Sequence, residues 1–143
     1  MEPLKADSTL DSLAAINKYV MDAAAEAGLA TAAAYRLRLA VDEIATNIIL
    51  HGYLEAGLRG SIQLHGRMDD TTLTLVIEDS AGAFDPRSIP RPDDLDLPLE
   101  QRKIGGLGVY LALEGVDKFH YERVGDRNRN IFVMNRSPSV PAK

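Results

Sequence analysis

Three short segments of the chain carry residue types that could bind a nucleotide and hold a metal ion beside its phosphates. They are Asp42–Gly52 (DEIATNIILHG), Asp79–Pro86 (DSAGAFDP) and Gly105–Leu111 (GGLGVYL). Carboxylate and amide oxygens, as in the first segment, suit Mg²⁺. A carboxylate at a strand end, as in the second, can accept a hydrogen bond from the amino group of a nucleotide base. Backbone N–H groups at a helix start, as in the third, bind phosphate oxygens. Together the segments predict ATP binding.

The first segment places Glu43 and Asn47 four residues apart on a helix, beside its apolar stripe. At about 100° per residue the two side chains lie only about 40° apart. A carboxylate there can act as a base towards a hydroxyl. The amide oxygen is a hard ligand for Mg²⁺, and water and phosphate oxygens complete the coordination shell of this ion. Taken alone, the pair also fits an ordinary solvated helix face.

In the second segment, Asp79 comes two residues after the alternating run Leu73–Ile77, and the small residues Ser80–Ala83 come next. Loss of alternation predicts a sharp strand exit, and small side chains leave room for a flat ligand, which makes Ala83 a candidate contact. A carboxylate at this point can accept a hydrogen bond from the exocyclic amino group of adenine. It would favour adenine over guanine, because guanine has a carbonyl at that ring position. The competing interpretation is a turn-forming aspartate.

The third segment predicts an anion site at the start of an apolar helix. The candidate phosphate contacts are Gly105, Gly106, Leu107 and Gly108. Arg102 and Lys103 stand just before them, where a closing lid could bring positive charge to a terminal phosphate. A hinge and a solvated basic pair remain alternatives. Neither a Walker A lysine pattern nor a G-x-G-x-x-G helix entry is present, which disfavours P-loop and Rossmann sites.

Three helices are predicted to position these segments. The first is expected between the cap residues Ser8, Thr9 and Asp11 and a stop at Gly28. The second is expected from about residue 31 to residue 50, ended by Gly52. Its buried stripe is predicted to be Leu37, Val41, Ile44 and Ile48. The third follows the glycines and runs through Leu113.

Alternation and turn residues predict the strands. They are expected at Leu4, at Ser61–Arg67, at Leu73–Ile77, and at Lys118–Arg123 and Asn130–Arg136 around a Gly125–Arg129 turn. Residues from about 86 to 104 are rich in proline and charge and are too long for a simple connector, so they are interpreted as a lid. One domain is predicted over residues 1–137, with a flexible tail at 138–143.

Composition excludes several other classes of protein. The 143 residues contain no cysteine, so disulfides and thiolate metal sites are excluded, and the three histidines lack zinc-ligand spacing. A formal net charge of −5 disfavours nucleic acid as a partner. No signal peptide and no apolar run of about 18 residues is present, so a cytoplasmic protein without membrane contact is expected.

The combination of motifs resembles the GHKL-type ATP-binding fold, and within it the small anti-sigma-factor serine/threonine kinases of bacterial partner-switching systems. The resemblance covers most of the chain. Glu43-x-x-x-Asn47 followed by His51-Gly52-Tyr53 resembles the N-box of that family. Asp79–Pro86 resembles its G1 box and Ile104–Gly108 its G2 box, while Met134–Arg136 lies where family members finish a sheet strand.

The resemblance implies a two-layer α/β sandwich of the Bergerat type, with helices packed on one face of a mixed, largely antiparallel sheet. It implies Glu43 as catalytic base, Asn47 as Mg²⁺ ligand, Asp79 as adenine contact, and Gly106 and Gly108 as phosphate contacts. ATP and Mg²⁺ are the implied cofactors. The implied partners are a STAS-domain antagonist protein, phosphorylated on serine or threonine, and a sigma factor or other regulator, with the kinase acting as a homodimer.

Two positions depart from the family pattern. Ala81 stands where the D-x-G pattern has glycine, and Ile104 stands where several of the kinases carry arginine. A methyl group at residue 81 could occupy space that a ligand or a strained backbone needs. An alternative is therefore a non-catalytic module that holds a regulator through a degenerate nucleotide pocket. A third interpretation, a structural dimer protein with accidental motifs, predicts that no nucleotide changes the melting temperature.

Overall fold

The structure is a computed structural model that describes residues 1–88 and 107–136. The predicted contacts Arg102, Lys103, Gly105 and Gly106 lie outside these residues, as does the departure at Ile104. Most of the predicted lid and all of the predicted tail also lie outside them. In the described ranges, no helix is both long and apolar enough to cross a membrane.

Within the described residues, five strands form one sheet. They are β1 (Leu4–Asp7), β2 (Ser61–Met68), β3 (Thr72–Asp79), β4 (Lys118–Val124) and β5 (Arg127–Asn135). Their order in space is β1-β2-β3-β5-β4. Alternate residues of β2, β3 and β5 are buried, as expected for strands with one face on a core. All four strand pairings are antiparallel, so no parallel pairing contributes to the sheet within the described residues.

In residues 1–88 and 107–136, three α-helices supply the second layer. They are α1 (Leu13–Glu26), α2 (Thr31–Asn47) and α3 (Leu107–Gly115). One continuous core joins their apolar sides to the inward residues of the strands, including Val20 of α1, Leu37 of α2 and Phe132 of β5, all fully buried. The predicted two-layer α/β sandwich with a largely antiparallel sheet is confirmed.

The predicted end of the second helix at Gly52 is wrong. After α2 the chain continues as a π-helical segment, Ile48–Leu54, and Glu55 N–H at its end donates to Leu50 C=O, five residues back. The wider turn of a π-helix shifts the phase of the apolar stripe. Ile49 is therefore fully buried and Ile48 only partly so. The positive φ that suits a helix stop belongs to Gly57, at 70°.

The predicted cap of the first helix is also wrong. The helix is preceded by a 3₁₀ turn at Leu10–Ser12, and no described side chain caps the start of that turn or of α1; the Thr9 hydroxyl instead lies 3.5 Å from the Ser12 hydroxyl. The Ser8 hydroxyl instead accepts a hydrogen bond of 3.0 Å from Gly60 N–H, and Ser8 N–H donates to Gly60 C=O. Ser8 thus ties the end of β1 to the start of β2.

The predicted turn at Gly125–Arg129 is shorter in the structure. Strand β5 begins at Arg127, which pairs with Val124 of β4, so the connection consists of Gly125 and Asp126 alone. Gly125 has a φ of 60°, the backbone conformation that a tight hairpin connection requires. The shift of the strand start brings Asn128 into the sheet, directly opposite Asp79 of β3.

Candidate nucleotide site

A cavity of about 530 Å³ opens between the π-helical segment, the exit of β3 and strand β5. Its volume is in the range of small-molecule sites. Its lining is mostly apolar or small, with a few polar side chains. The lining side chains used below belong to Asn47, His51, Asp79, Ala81, Ala83, Phe84, Asn128 and Asn130. A flat base fits such a site, because apolar walls contact its faces while few polar groups read its edge.

Asp79 is the most deeply buried charged side chain of this cavity, with 1% of its surface exposed. Its Oδ1 accepts hydrogen bonds of 2.9 Å from both Ala81 N–H and Asn128 Nδ2. Its Oδ2 is buried and has no hydrogen-bond partner among the described residues. Burial raises the pKa of the Asp79 carboxyl, although the hydrogen bond from Asn128 opposes the rise. The cavity thus contains a buried acceptor without a donor.

Tyr53 fixes the chain directly after Asp79. Its ring is buried, with 2% of the residue exposed, and its hydroxyl accepts a hydrogen bond of 2.8 Å from Ser80 N–H. The same hydroxyl donates to Ser61 C=O at 3.2 Å. Burial raises the pKa of the Tyr53 phenol, which favours the protonated donor form. The π-helical segment thereby holds the exit of β3 against the start of β2.

The methyl group of Ala81 has a place of its own in the structure. Ala81 is 3% exposed, and a Cβ built on Gly52 would lie 3.0 Å from the Ala81 Cβ. Gly52 therefore leaves the space that the Ala81 side chain uses. Residues 1–88 and 107–136 include no non-glycine residue with positive φ, so the backbone at residue 81 does not require glycine.

A second cavity, of about 300 Å³, lies between α2 and the start of α3. Glu43, Asn47 and Gly108 line it, so the structure brings these three predicted residues together. A Cβ at Gly108 would lie 2.5 Å from Glu43 Oε2, which shows that the absent side chain leaves room for the carboxylate. Asn47 and His51 line both cavities and join them.

His51 lies at this junction on the π-helical segment. Its Nδ1 is 2.6 Å from Glu55 Oε2, in an exposed i, i+4 pair. Glu55 therefore orients the imidazole ring that lines both cavities. His51 belongs to the segment that resembles the N-box, but the resemblance implies no role for it.

The structure places the predicted site residues in three groups. Glu43, Asn47, Asp79, Ala83 and Gly108 line the two joined cavities. Leu107 begins α3, which puts its backbone at the predicted helix start. The other predicted contacts, Arg102, Lys103, Gly105 and Gly106, lie outside the described residues.

Two residues that hold the site had no role predicted from the sequence, namely Tyr53 and Asn128. Tyr53 lies in a π turn that apolar periodicity does not reveal. Asn128 is 3% exposed and Asn130 is 2% exposed, and both face the core from β5 in the same alternation as Phe132. Two asparagines on the core-facing side of a strand are the signal that could have found this part of the site.

The residues present fit ATP with Mg²⁺. The unpartnered Asp79 Oδ2 offers an acceptor to a base amino group. The Asn47 amide supplies an oxygen of the kind that Mg²⁺ takes beside phosphates, and the Glu43 carboxylate lines the same cavity. Gly108 exposes backbone in the first turn of α3, whose N-terminal N–H groups favour anions.

Comparison with known proteins agrees with this geometry. A family model described as the histidine kinase-like ATPase domain matches residues 6–135. A search of curated proteins found no match. The matched range contains every described residue of the two cavities, and the match supports ATP binding and ATP-dependent kinase or ATPase chemistry in general. The chain belongs to the histidine kinase-like ATPase domain family.

Proposed function

We propose that this protein is an ATP-dependent serine/threonine protein kinase of a partner-switching system. In this proposal it phosphorylates a STAS-domain antagonist and binds a sigma factor or another regulator, acting as a homodimer. The observation that carries the proposal is the pair of joined cavities. One contains the buried acceptor Asp79, the other contains the exposed carboxylate Glu43, and Asn47 lines both.

In this proposal, ATP lies across both cavities. The adenine occupies the larger cavity, where its amino group donates to Asp79 Oδ2. Its phosphates extend past Asn47 towards the start of α3. There the N-terminal N–H groups of the helix and the glycine backbone at residue 108 receive phosphate oxygens. Mg²⁺, when bound, neutralises phosphate charge, and Asn47 is the residue that would hold it.

Phosphoryl transfer uses Glu43 as the base. Its carboxylate is exposed, so the hydroxyl of a serine or threonine on another protein can reach it. Glu43 accepts the hydroxyl proton, the hydroxyl oxygen forms a bond to the γ-phosphorus, and the bond from that phosphorus to the β,γ-bridging oxygen breaks. ADP leaves, and the acceptor protein carries the phosphate. Positioning and charge stabilisation account for most catalysis in reactions of this class.

The alternative function is a non-catalytic module that binds a regulator and has a degenerate nucleotide pocket. It was suggested by the methyl group of Ala81. In the structure this methyl packs against Gly52 instead of forcing the backbone into a strained conformation. That contact supports the kinase proposal over the alternative.

The test is transfer of label from γ-labelled ATP to purified STAS-domain proteins from the same organism. Wild-type protein is expected to label one of them on serine or threonine. Glu43→Gln is expected to abolish labelling while ATP affinity stays within about threefold, since the base acts in the transfer step alone. Glu114→Gln, which changes an exposed glutamate of α3, is the matched control and should transfer normally.

Two results would contradict the proposal. Transfer that persists in Glu43→Gln would remove Glu43 from the role of base. ATP binding without labelling of any STAS-domain protein would remove the kinase assignment and favour the regulator-binding module.

A further inference from the structure

The side chain of Asn128 forms the densest set of polar contacts beside the larger cavity. It is 3% exposed and lies on β5, opposite Asp79 in the strand register. Its Nδ2 donates to Asp79 Oδ1 at 2.9 Å, to Gly82 C=O at 3.0 Å and to Ala81 C=O at 3.2 Å. Its Oδ1 accepts from Phe84 N–H at 3.3 Å and from the Tyr121 hydroxyl. One amide thus contacts both the carboxylate and the loop that follows it.

These contacts fix which way the amide faces. A side-chain amide has one end that only accepts and one end that only donates. The Phe84 N–H is a donor and requires the oxygen, while the carbonyls of Ala81 and Gly82 are acceptors and require the nitrogen. Rotation of the amide by 180° would lose these bonds together. The nitrogen is therefore held towards Asp79.

The two oxygens of Asp79 consequently differ in their hydrogen bonds. Oδ1 receives Asn128 Nδ2 and Ala81 N–H, and Oδ2 receives no hydrogen bond from the described residues. The two oxygens of an ionised carboxylate are chemically equivalent, so the contact fixes the plane of the group: without it the carboxylate could turn and move its acceptor away from the ligand. With it, one oxygen is saturated by the protein and the other is left for a ligand.

We propose that Asn128 is a positioning residue that sets the base specificity of the cavity by holding Asp79 Oδ2 as its acceptor for a purine 6-amino group. This inference rests on the proposed nucleotide function and deepens it. Asn128 itself need not touch the nucleotide, because it acts through Asp79. The expected signature is a loss of discrimination between bases that differ only at position 6.

The loop after Asp79 has supports that do not depend on Asn128. Arg123 Nη1 donates to Ala81 C=O at 2.9 Å, and Tyr53 binds Ser80 N–H at 2.8 Å. Removal of the Asn128 amide should therefore leave the loop backbone in place while it frees the carboxylate. A general collapse of the site would weaken every nucleotide equally, whereas loss of positioning weakens only those that carry the 6-amino group.

The experiment compares ATP with purine riboside triphosphate, which lacks the 6-amino group, by calorimetric titration. Wild-type protein is expected to bind ATP about 10-fold or more tighter, as one hydrogen bond to a charged group allows. Asn128→Ala is expected to reduce this ratio to about threefold or less, mainly through weaker ATP binding. Asn135→Ala, an exposed asparagine of the same strand, is the matched control and should keep the wild-type ratio.

In Asn128→Ala, the affinities for ATP and for purine riboside triphosphate could instead both fall while their ratio stays at the wild-type value. That result would overturn the inference and assign Asn128 a purely structural role. If Asn128→Ala fails to fold, Asn128→Ser replaces it, because it keeps a polar residue on β5 but removes the amide that contacts Asp79. An unchanged ratio in that variant would likewise overturn the inference. Failure of the wild-type protein to bind ATP at all is a different result, which removes the proposed function itself.

Discussion

Replacement of Asp79 by asparagine should change which base the cavity accepts. The Oδ1 position receives N–H groups from Ala81 and Asn128, so the oxygen of the new amide must take that position. Its nitrogen is then forced into the position of Oδ2, the oxygen that has no hydrogen-bond partner among the described residues. The variant therefore presents a donor to the adenine amino group, which is also a donor, where the wild-type protein presents an acceptor.

The magnitude follows from the single contact that is lost. A hydrogen bond to a charged group contributes about 1.5–3 kcal/mol, so Asp79→Asn should weaken ATP binding by about 10- to 150-fold. Inosine triphosphate has a carbonyl at position 6, which accepts the new N–H. Its affinity should rise in the variant, and the preference for ATP over inosine triphosphate should fall sharply or reverse.

The assay is calorimetric titration of both proteins with ATP and with inosine triphosphate, at equal Mg²⁺ and salt. Asp117→Asn, which changes an exposed aspartate before β4, controls for loss of one negative charge. ATP affinity within about threefold of wild type, or an equal loss for both nucleotides, would refute the argument from hydrogen-bond polarity.

Two further predictions concern stability. Burial raises the pKa of Asp79 in the folded state, so its contribution to stability is present below its ordinary pKa and is lost as pH rises through the folded value. Without nucleotide, the free energy of unfolding of Asp79→Asn, measured with urea, should therefore rise relative to that of wild type as pH rises from about 4 to 7. A difference between the two proteins that does not depend on pH would contradict this. Gly52→Ala should lower the melting temperature and ATP affinity, because the new methyl meets Ala81 at 3.0 Å, whereas Gly82→Ala, with nothing within 4 Å, should be tolerated. Equal melting temperatures for the two glycine variants would show that the Gly52 contact carries no packing constraint.

The parts of the site that sequence could predict are those with local periodic signals. Glu43 and Asn47 follow from the helical repeat, which puts both on one side of α2. Asp79 follows from the end of the alternation in β3, and the structure does place it at the end of that strand, beside the cavity. The layers and the largely antiparallel sheet follow from the same patterns together with the family resemblance.

The parts that sequence could not predict depend on contacts between distant segments. Asn128 meets Asp79 across 49 positions of the chain, and its role appears only when the β3–β5 register is known. The π turn after α2 changes the hydrogen-bond spacing from four residues to five, which a 3.6-residue period cannot reveal. The burial of Ala81 against Gly52 likewise needs the packed structure, so the sequence alone left its effect open.

The most direct test of the account is calorimetric titration of the wild-type protein and Asn47→Ala with ATP, each with and without Mg²⁺. Asn17→Ala on α1, an asparagine away from both cavities, is the control. ATP binding is expected to strengthen with Mg²⁺ in the wild-type and Asn17→Ala proteins, and most of that Mg²⁺ dependence is expected to be lost in Asn47→Ala. No binding of ATP by the wild-type protein, together with a melting temperature that nucleotide leaves unchanged, would contradict it.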